Sequence, residues 1–148
     1  MTAAIVLFST IVLTSCTQYT QNEKVNYFED VRQQLRFYES IVAVDYENAD
    51  KLGRPAARSF QSDTEDIMRD FRRKYEGTPI ERNYPSIKTL EKLNRVAASL
   101  GDWFILAQEM KREDIPDHMK VTTRDVFKMT QAELKDEIIY AKKVMFYL

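Results

Sequence analysis

The sequence predicts an all-α fold, an antiparallel four-helix bundle, on three observations. Four stretches carry apolar residues at alternating steps of three and four, the spacing of a helix with one buried face. Their connections are about 3 to 11 residues long, and short connections favour antiparallel neighbours. No stretch keeps up the alternation of apolar and polar residues that indicates a β-strand.

An uncharged apolar run precedes the first helix and ends in the chain's single cysteine. Its apolar part, Ala3 to Leu13, is 11 residues long, against the roughly 20 needed to cross a bilayer. That length is typical of the apolar part of a secretory signal peptide. The run closes with Leu13-Thr14-Ser15-Cys16, and the first charged residue is Glu23.

This ending resembles the lipobox of bacterial lipoproteins, in which an aliphatic residue and two small residues precede a cysteine that receives lipid. The resemblance implies that residues 1–15 are a cleaved signal peptide and that Cys16 carries diacylglycerol and an amide-linked acyl chain. Residues 16–24 would then be the lipidated cysteine and its tether, and residues 25–148 the helical bundle domain. Two or more acyl chains hold a protein stably on a membrane.

The residue after the cysteine bears on the membrane involved. Thr17 stands where an Asp favours retention in the inner membrane of proteobacteria, so the resemblance implies the outer membrane, with the domain facing the periplasm. The two alternatives are an uncleaved N-terminal anchor and a buried N-terminal helix with an incidental thiol.

The first helix is predicted from Asn22 or Glu23 to Leu52, interrupted in its apolar stripe by Asp45. A turn of the stripe that puts Asp45 outward and Tyr46 inward is the simpler interpretation, and a buried carboxylate with a basic partner is the other. Gly53 is expected to end this helix. The stripe consists of Phe28, Val31, Leu35, Tyr38, Val42, Ala49 and Leu52.

The second helix is predicted from Ala56 to Glu76, closed by Gly77. Ser62 and Glu65 match a capping box, which would start the helix later. A loop of residues 78–84 follows. Its buried face is expected to hold Phe60, Ile67, Met68, Phe71 and Tyr75.

The third helix is predicted from Pro85 to Arg112 and has the widest apolar face, so it should be the most buried. The fourth follows a loop of residues 113–121 and is expected to begin at a cap formed by Thr122 or Thr123. The third stripe consists of Leu90, Leu93, Ala97, Leu100, Phe104 and Ala107; the fourth consists of Phe127, Leu134, Ile138, Ala141, Met145 and Leu148.

Residue usage argues against common catalytic chemistry. His118 is the only histidine, Cys16 would be blocked by lipid, and the three glycines are too far apart for a phosphate-binding loop. We therefore expect no metal and no cofactor, and an enzyme is the least favoured class. A net charge of −1 with mixed signs argues against nucleic acid as a partner.

Two groups of residues are candidates for contact with a partner. Basic residues end the second helix, where they also complement the helix dipole; the apolar C-terminus either docks into the core or binds a partner. We expect a non-catalytic interaction protein of the cell envelope that binds another envelope protein; the alternative is a protein that holds a small apolar or lipid ligand between its helices. The candidates are Arg69, Arg72, Arg73, Tyr140, Phe146 and Tyr147.

Overall fold

A computed structural model describes residues 19–49, 51 and 53–146, and within them the protein is all-helical with no strand. This confirms the all-α class, but with six helices rather than four. Four long helices coincide with the four predicted ones, and two short helices lie between them. The helices are α1 (Gln21–Val42), α2 (Tyr46–Ala49), α3 (Gly53–Tyr75), α4 (Pro79–Asn83), α5 (Ile87–Glu109) and α6 (Asp117–Phe146).

Helix α1 starts at a capping box and ends ten residues earlier than expected. Thr20 accepts from the Glu23 backbone N–H while the Glu23 carboxylate accepts from the Thr20 N–H. After Val42 the chain turns, and backbone carbonyls that no longer bond within α1 accept hydrogen bonds from another helix. Gln131 of α6 donates to the carbonyl oxygens of Val42 and Val44, at 2.8 and 3.0 Å.

The residue that interrupted the predicted stripe lies at this break. Asp45 is exposed, and its carbonyl accepts from the Asn48 N–H at the start of α2. Tyr46 packs inward, with its ring 5.2 Å from that of Phe127. The outward orientation of Asp45 is confirmed, although a helix break produces it and not a gradual turn of the stripe.

Helix α3 begins at Gly53, which therefore opens this helix instead of closing the previous one. Ser62 lies in the helix interior and caps nothing. Gly77 lies just after α3 and stops it, as predicted: its φ of 76° is in the left-handed range that glycine adopts without a steric cost.

Helix α4 corrects the expectation of a loop over residues 78–84. Thr78 caps it by accepting from the Glu81 N–H, and Pro79 occupies the first turn, where a proline is tolerated. Helix α6 likewise starts earlier than expected. The carbonyl of Pro116 accepts from Met119 and Lys120, so Thr122 and Thr123 lie inside the helix and neither caps it.

Helix α5 lies at the centre of the fold and packs against α3, α6 and α1. All six residues of its predicted stripe are buried. Around it, large side chains from the other helices fill one continuous core. Fully buried members include Tyr27, Leu35, Tyr38, Ile41, Leu90, Phe104, Phe127 and Leu134.

Two glycine substitutions test the backbone conformations of Gly77, which is left-handed, and Gly101, which lies inside α5. Gly77→Ala should lower the free energy of unfolding by roughly 1–2 kcal/mol, because an added Cβ strains a left-handed residue even where no neighbour is within 4 Å. Gly101→Ala should raise it by up to about 1 kcal/mol, because alanine favours the helix and its Cβ would make an ordinary 3.5 Å contact with Gln61. Urea denaturation of both variants measures the difference. Equal effects would contradict the assignment of Gly77.

Candidate functional site

A cleft of about 710 Å³ lies where the first half of α1, the α4–α5 junction and the end of α6 meet. Two other cavities, of about 180 and 460 Å³, are smaller. Three segments that are far apart in the sequence line it, namely residues 24–32, 83–86 and 144–146. The site therefore depends on the complete tertiary fold.

One wall is a face of α1. Lys24, Phe28, Val31 and Arg32 are spaced by four, three and one residues, so they follow one another along the same side of the helix. Phe28 belongs to the predicted apolar stripe but is only partly buried, because it faces this cleft while Tyr27 fills the core.

The opposite walls are aromatic and aliphatic. The ring of Tyr84 lies 5.2 Å from that of Phe28 in an edge-to-face arrangement, and the ring of Phe146 lies 6.3 Å from Phe28. Val144 and Met145 of α6 complete the apolar lining. These contacts give the cleft stiff walls, since aromatic rings lose little conformational freedom on packing.

A hydrogen-bond network around Glu81 lies behind two residues of the lining, Tyr27 and Ser86. The Glu81 carboxylate accepts from the backbone N–H groups of Ser86 and Ile87, both at 3.1 Å, and so satisfies the amino end of α5. The Tyr27 hydroxyl contacts Glu81 Oε2 at 2.5 Å, the Tyr84 carbonyl oxygen at 2.6 Å, and the Ser86 hydroxyl. Burial and the bond to Glu81 raise the pKa of Tyr27, so its hydroxyl keeps its proton at neutral pH.

Two cations lie over the aromatic walls. Lys24 Nζ is 4.7 Å from the centre of the Tyr84 ring, and Arg32 Cζ is 5.0 Å from the centre of the Phe146 ring. Among the described residues that line the cleft there is no Asp or Glu. The cleft is therefore mainly apolar, with two cations at its rim and no acidic residue in its described lining.

The two cations differ in their partners. Arg32 lies 3.7 Å from the Glu29 carboxylate, whereas no carboxylate of the described residues pairs with Lys24. Hydrogen bonding to the Tyr84 hydroxyl raises the pKa of Lys24, and the same contact is the main cause that lowers the pKa of Tyr84. Lys24 is thus a protonated donor at the edge of the cleft.

Two smaller cavities are described as well. One of about 180 Å³ lies between α1 and α3, bordered by Asp30, Asp70 and Lys74. Another of about 460 Å³ lies between α2, the end of α5 and the start of α6, with Glu47 among three basic residues. Each of these two cavities has at least one carboxylate among its lining residues, whereas the described lining of the first cleft has none.

The basic residues predicted at the end of the second helix do not form a free positive patch. Arg69 lies 2.6 Å from Asp66, and Arg72 lies 2.9 Å from Glu76 and 2.7 Å from Glu91. Arg73 is exposed. Carboxylates thus compensate two of the three positive charges on this surface.

The C-terminal candidates separate into two places. Phe146 lines the cleft, whereas Tyr140 is 59% exposed on the outer side of α6. Tyr147 and Cys16 lie outside the described residues.

Three observations on the described residues concern acid–base and metal chemistry. No group of three His, Cys, Asp or Glu side chains there could hold a metal ion. His118 is exposed. Carboxyl pKa values are lowered at Glu47 and Asp114, which are both on the surface and outside the cleft.

Sequence reasoning missed Lys24, Arg32 and Tyr84 as site residues. The spacing Lys24–Phe28–Arg32, with two cations flanking a ring on one helix face, is a signal that could have pointed to α1. Thr78-Pro79 followed by Glu81 is the capping signature that could have revealed α4. The meeting of these segments with α6 has no local signature.

Comparisons with protein-family models, curated proteins and solved structures found no match to the chain. Within the described part of the chain, no helix combines the length and the apolar character needed to cross a membrane.

The hydrogen-bond network around Glu81 and Tyr27 should make the stability of the fold sensitive to alkaline pH. Because the folded-state pKa of Tyr27 is raised, its contribution is fully present below about pH 10, the unfolded value, and is lost as the pH rises toward the folded value. Tyr27→Phe should therefore weaken the fall of the unfolding free energy above pH 10, by up to about 1.4 kcal/mol per pH unit. Chemical denaturation at a series of pH values measures this slope.

The matched control is Tyr140→Phe, because that ring is exposed. It should keep the wild-type pH dependence, whereas Tyr38, whose pKa burial also raises, accounts for part of the slope that stays in Tyr27→Phe. An unchanged slope in Tyr27→Phe would contradict the role given to its hydroxyl.

Proposed function

We propose that this chain is a membrane-anchored, non-catalytic binding protein of the bacterial cell envelope. Lipid on Cys16 would hold it to a membrane, most simply the outer membrane, with the helical domain facing the periplasm. The support for the anchor is the lipobox resemblance of Leu13–Cys16 behind an uncharged apolar run. The support for binding is the cleft.

The single observation that carries the binding function is the composition of the cleft. Its walls are aromatic and aliphatic, its rim holds Lys24 and Arg32, and its described lining has no carboxylate. Its volume of about 710 Å³ is within the range of about 300–1,000 Å³ typical of small-molecule sites. Of the two ligands expected from the sequence, a small apolar or lipid ligand therefore fits this geometry better.

Binding of another envelope protein is the second candidate, as a role in assembly, secretion or exclusion would require. A separate observation favours it. Exposed apolar side chains occur along α6, with Met129 at 71% and Tyr140 at 59% exposure, and Val121 and Ile139 at 46% each. Aromatic residues and Met are enriched where proteins meet.

The proposal includes a simple architecture. The four long helices would form an antiparallel bundle, with α2 and α4 as parts of its connections. Support comes from the central position of α5 against α3, α6 and α1 and from the short connections between the long helices. In such a bundle the cleft lies at the end near Tyr19.

The anchor is tested by the intact mass of the full chain purified from membranes of a bacterial host, with Cys16→Ser as the comparison. The wild-type mass should lack residues 1–15 and include acyl chains, because the resemblance makes Cys16 the lipidated N-terminus. The mass of Cys16→Ser should show neither change. An unprocessed wild-type chain without lipid would contradict the anchor and the localisation together.

A further inference from the structure

The orientation of a ligand in the cleft follows from the two cations. Lys24 and Arg32 are eight residues apart on α1, which separates them by about 12 Å along the helix axis. Phe28 lies between them on the same face, and Phe146 lies under Arg32. The cleft is thus elongated, with an unpaired cation at one end and apolar rings beyond it.

An anion gains most at the Lys24 end. Arg32 is already close to Glu29, whereas Lys24 contacts the Tyr84 ring and hydroxyl and no described carboxylate. A charge-assisted hydrogen bond from Lys24 to an anion would therefore not compete with an existing ion pair. Beyond Lys24, methylene groups would replace water along Phe28, Val144 and Phe146.

From these features we infer that the cleft binds a single-chain anionic lipid, a long-chain fatty acid, with its carboxylate on Lys24 and its chain along α1 toward Phe146. This rests on the proposed binding function of the cleft but not on the lipid anchor. Tyr19, beside Tyr84 with ring centres 6.4 Å apart, is three residues from Cys16, so a chain segment of at most about 11 Å separates it from the proposed lipidated residue. Were that anchor present, the cleft would open close to a membrane that supplies such lipids.

Photo-crosslinking in bacterial membranes tests this with the full chain. The probe is palmitate with a diazirine in the middle of its chain, and the comparison probe is hexadecanol with the same diazirine. After irradiation, mass spectrometry of peptides should find palmitate label on residues 28–32 and 144–146. The alcohol should label these residues about tenfold less, because its neutral hydroxyl can accept a hydrogen bond from Lys24 but cannot form an ion pair with it as a carboxylate can.

Two variants with matched controls locate the binding. Val144→Trp fills the cleft and should abolish the palmitate label, whereas Ile139→Trp places the same side chain at an exposed position of α6 and should keep it. Lys24→Gln should reduce the label about tenfold. Lys135→Gln removes an exposed lysine outside the cleft and should keep the label. Circular dichroism of each variant identifies any loss of fold, and Lys24→Gln tests the inference even where Val144→Trp does not fold.

Three results would overturn the inference. Equal labelling by palmitate and by the alcohol would show that the carboxylate is not recognised. Label spread over the whole surface in all variants would show that the lipid does not bind in the cleft. Label that appears only after truncation behind Phe146 would identify residues 147–148 of this chain as the occupant. Cys16→Ser separates the two proposals: label retained in that variant supports the cleft even where the mass measurement contradicts the anchor.

Discussion

The carboxylate of Glu81 is the interaction on which the cleft end of the molecule depends. Helix α5 starts at Ile87 without a side-chain cap from Ser86, so its first N–H groups need another acceptor. Glu81 supplies it from the preceding helix, and the same carboxylate holds the Tyr27 hydroxyl of α1. One side chain thereby fixes the position of α4, α5 and α1 relative to one another. A negative group at a helix amino end is also favoured by the helix dipole.

A second polar network links α1 to the middle of the core. Gln34, which is fully buried, donates to the Tyr38 hydroxyl at 2.7 Å, and Tyr38 donates to Asn94 of α5 at 2.9 Å. Such bonds contribute about 1 kcal/mol each but cost more when broken, because a buried polar group is left without a partner. They therefore penalise any sliding of α1 along α5 more strongly than apolar contacts of equal area would. Two polar contacts therefore fix the position of α1 along its own axis: Tyr27 with Glu81 near one end, and Tyr38 with Asn94 in the middle.

The long helices could be predicted from the sequence because their signals are local. The stripe of α5 is apolar at all six expected positions, and Gly77 ends α3 through its own backbone preference. The break after Val42 could not be predicted in the same way, because its carbonyls are satisfied by Gln131, which is 89 residues further along the chain. The cleft likewise depends on contacts between residues that are far apart in the sequence. Its α1 face is visible as a spacing, but Tyr84 and Phe146 come to it only through tertiary packing.

The position of the cations explains why this cleft differs from an ordinary surface depression. Many charged side chains of the described surface face an opposite charge, as Lys92 faces Glu137 at 2.6 Å. Arg32 lies over the Phe146 ring and also close to Glu29. Lys24 lies over the Tyr84 ring, which attracts a cation but does not neutralise it, and pairs with no carboxylate of the described residues. An anion bound at Lys24 would displace no carboxylate of the described residues and would lie beside the Tyr84 ring. Because the walls come from three distant segments, the site forms only in the folded chain, and whatever occupies it must in turn stabilise that fold.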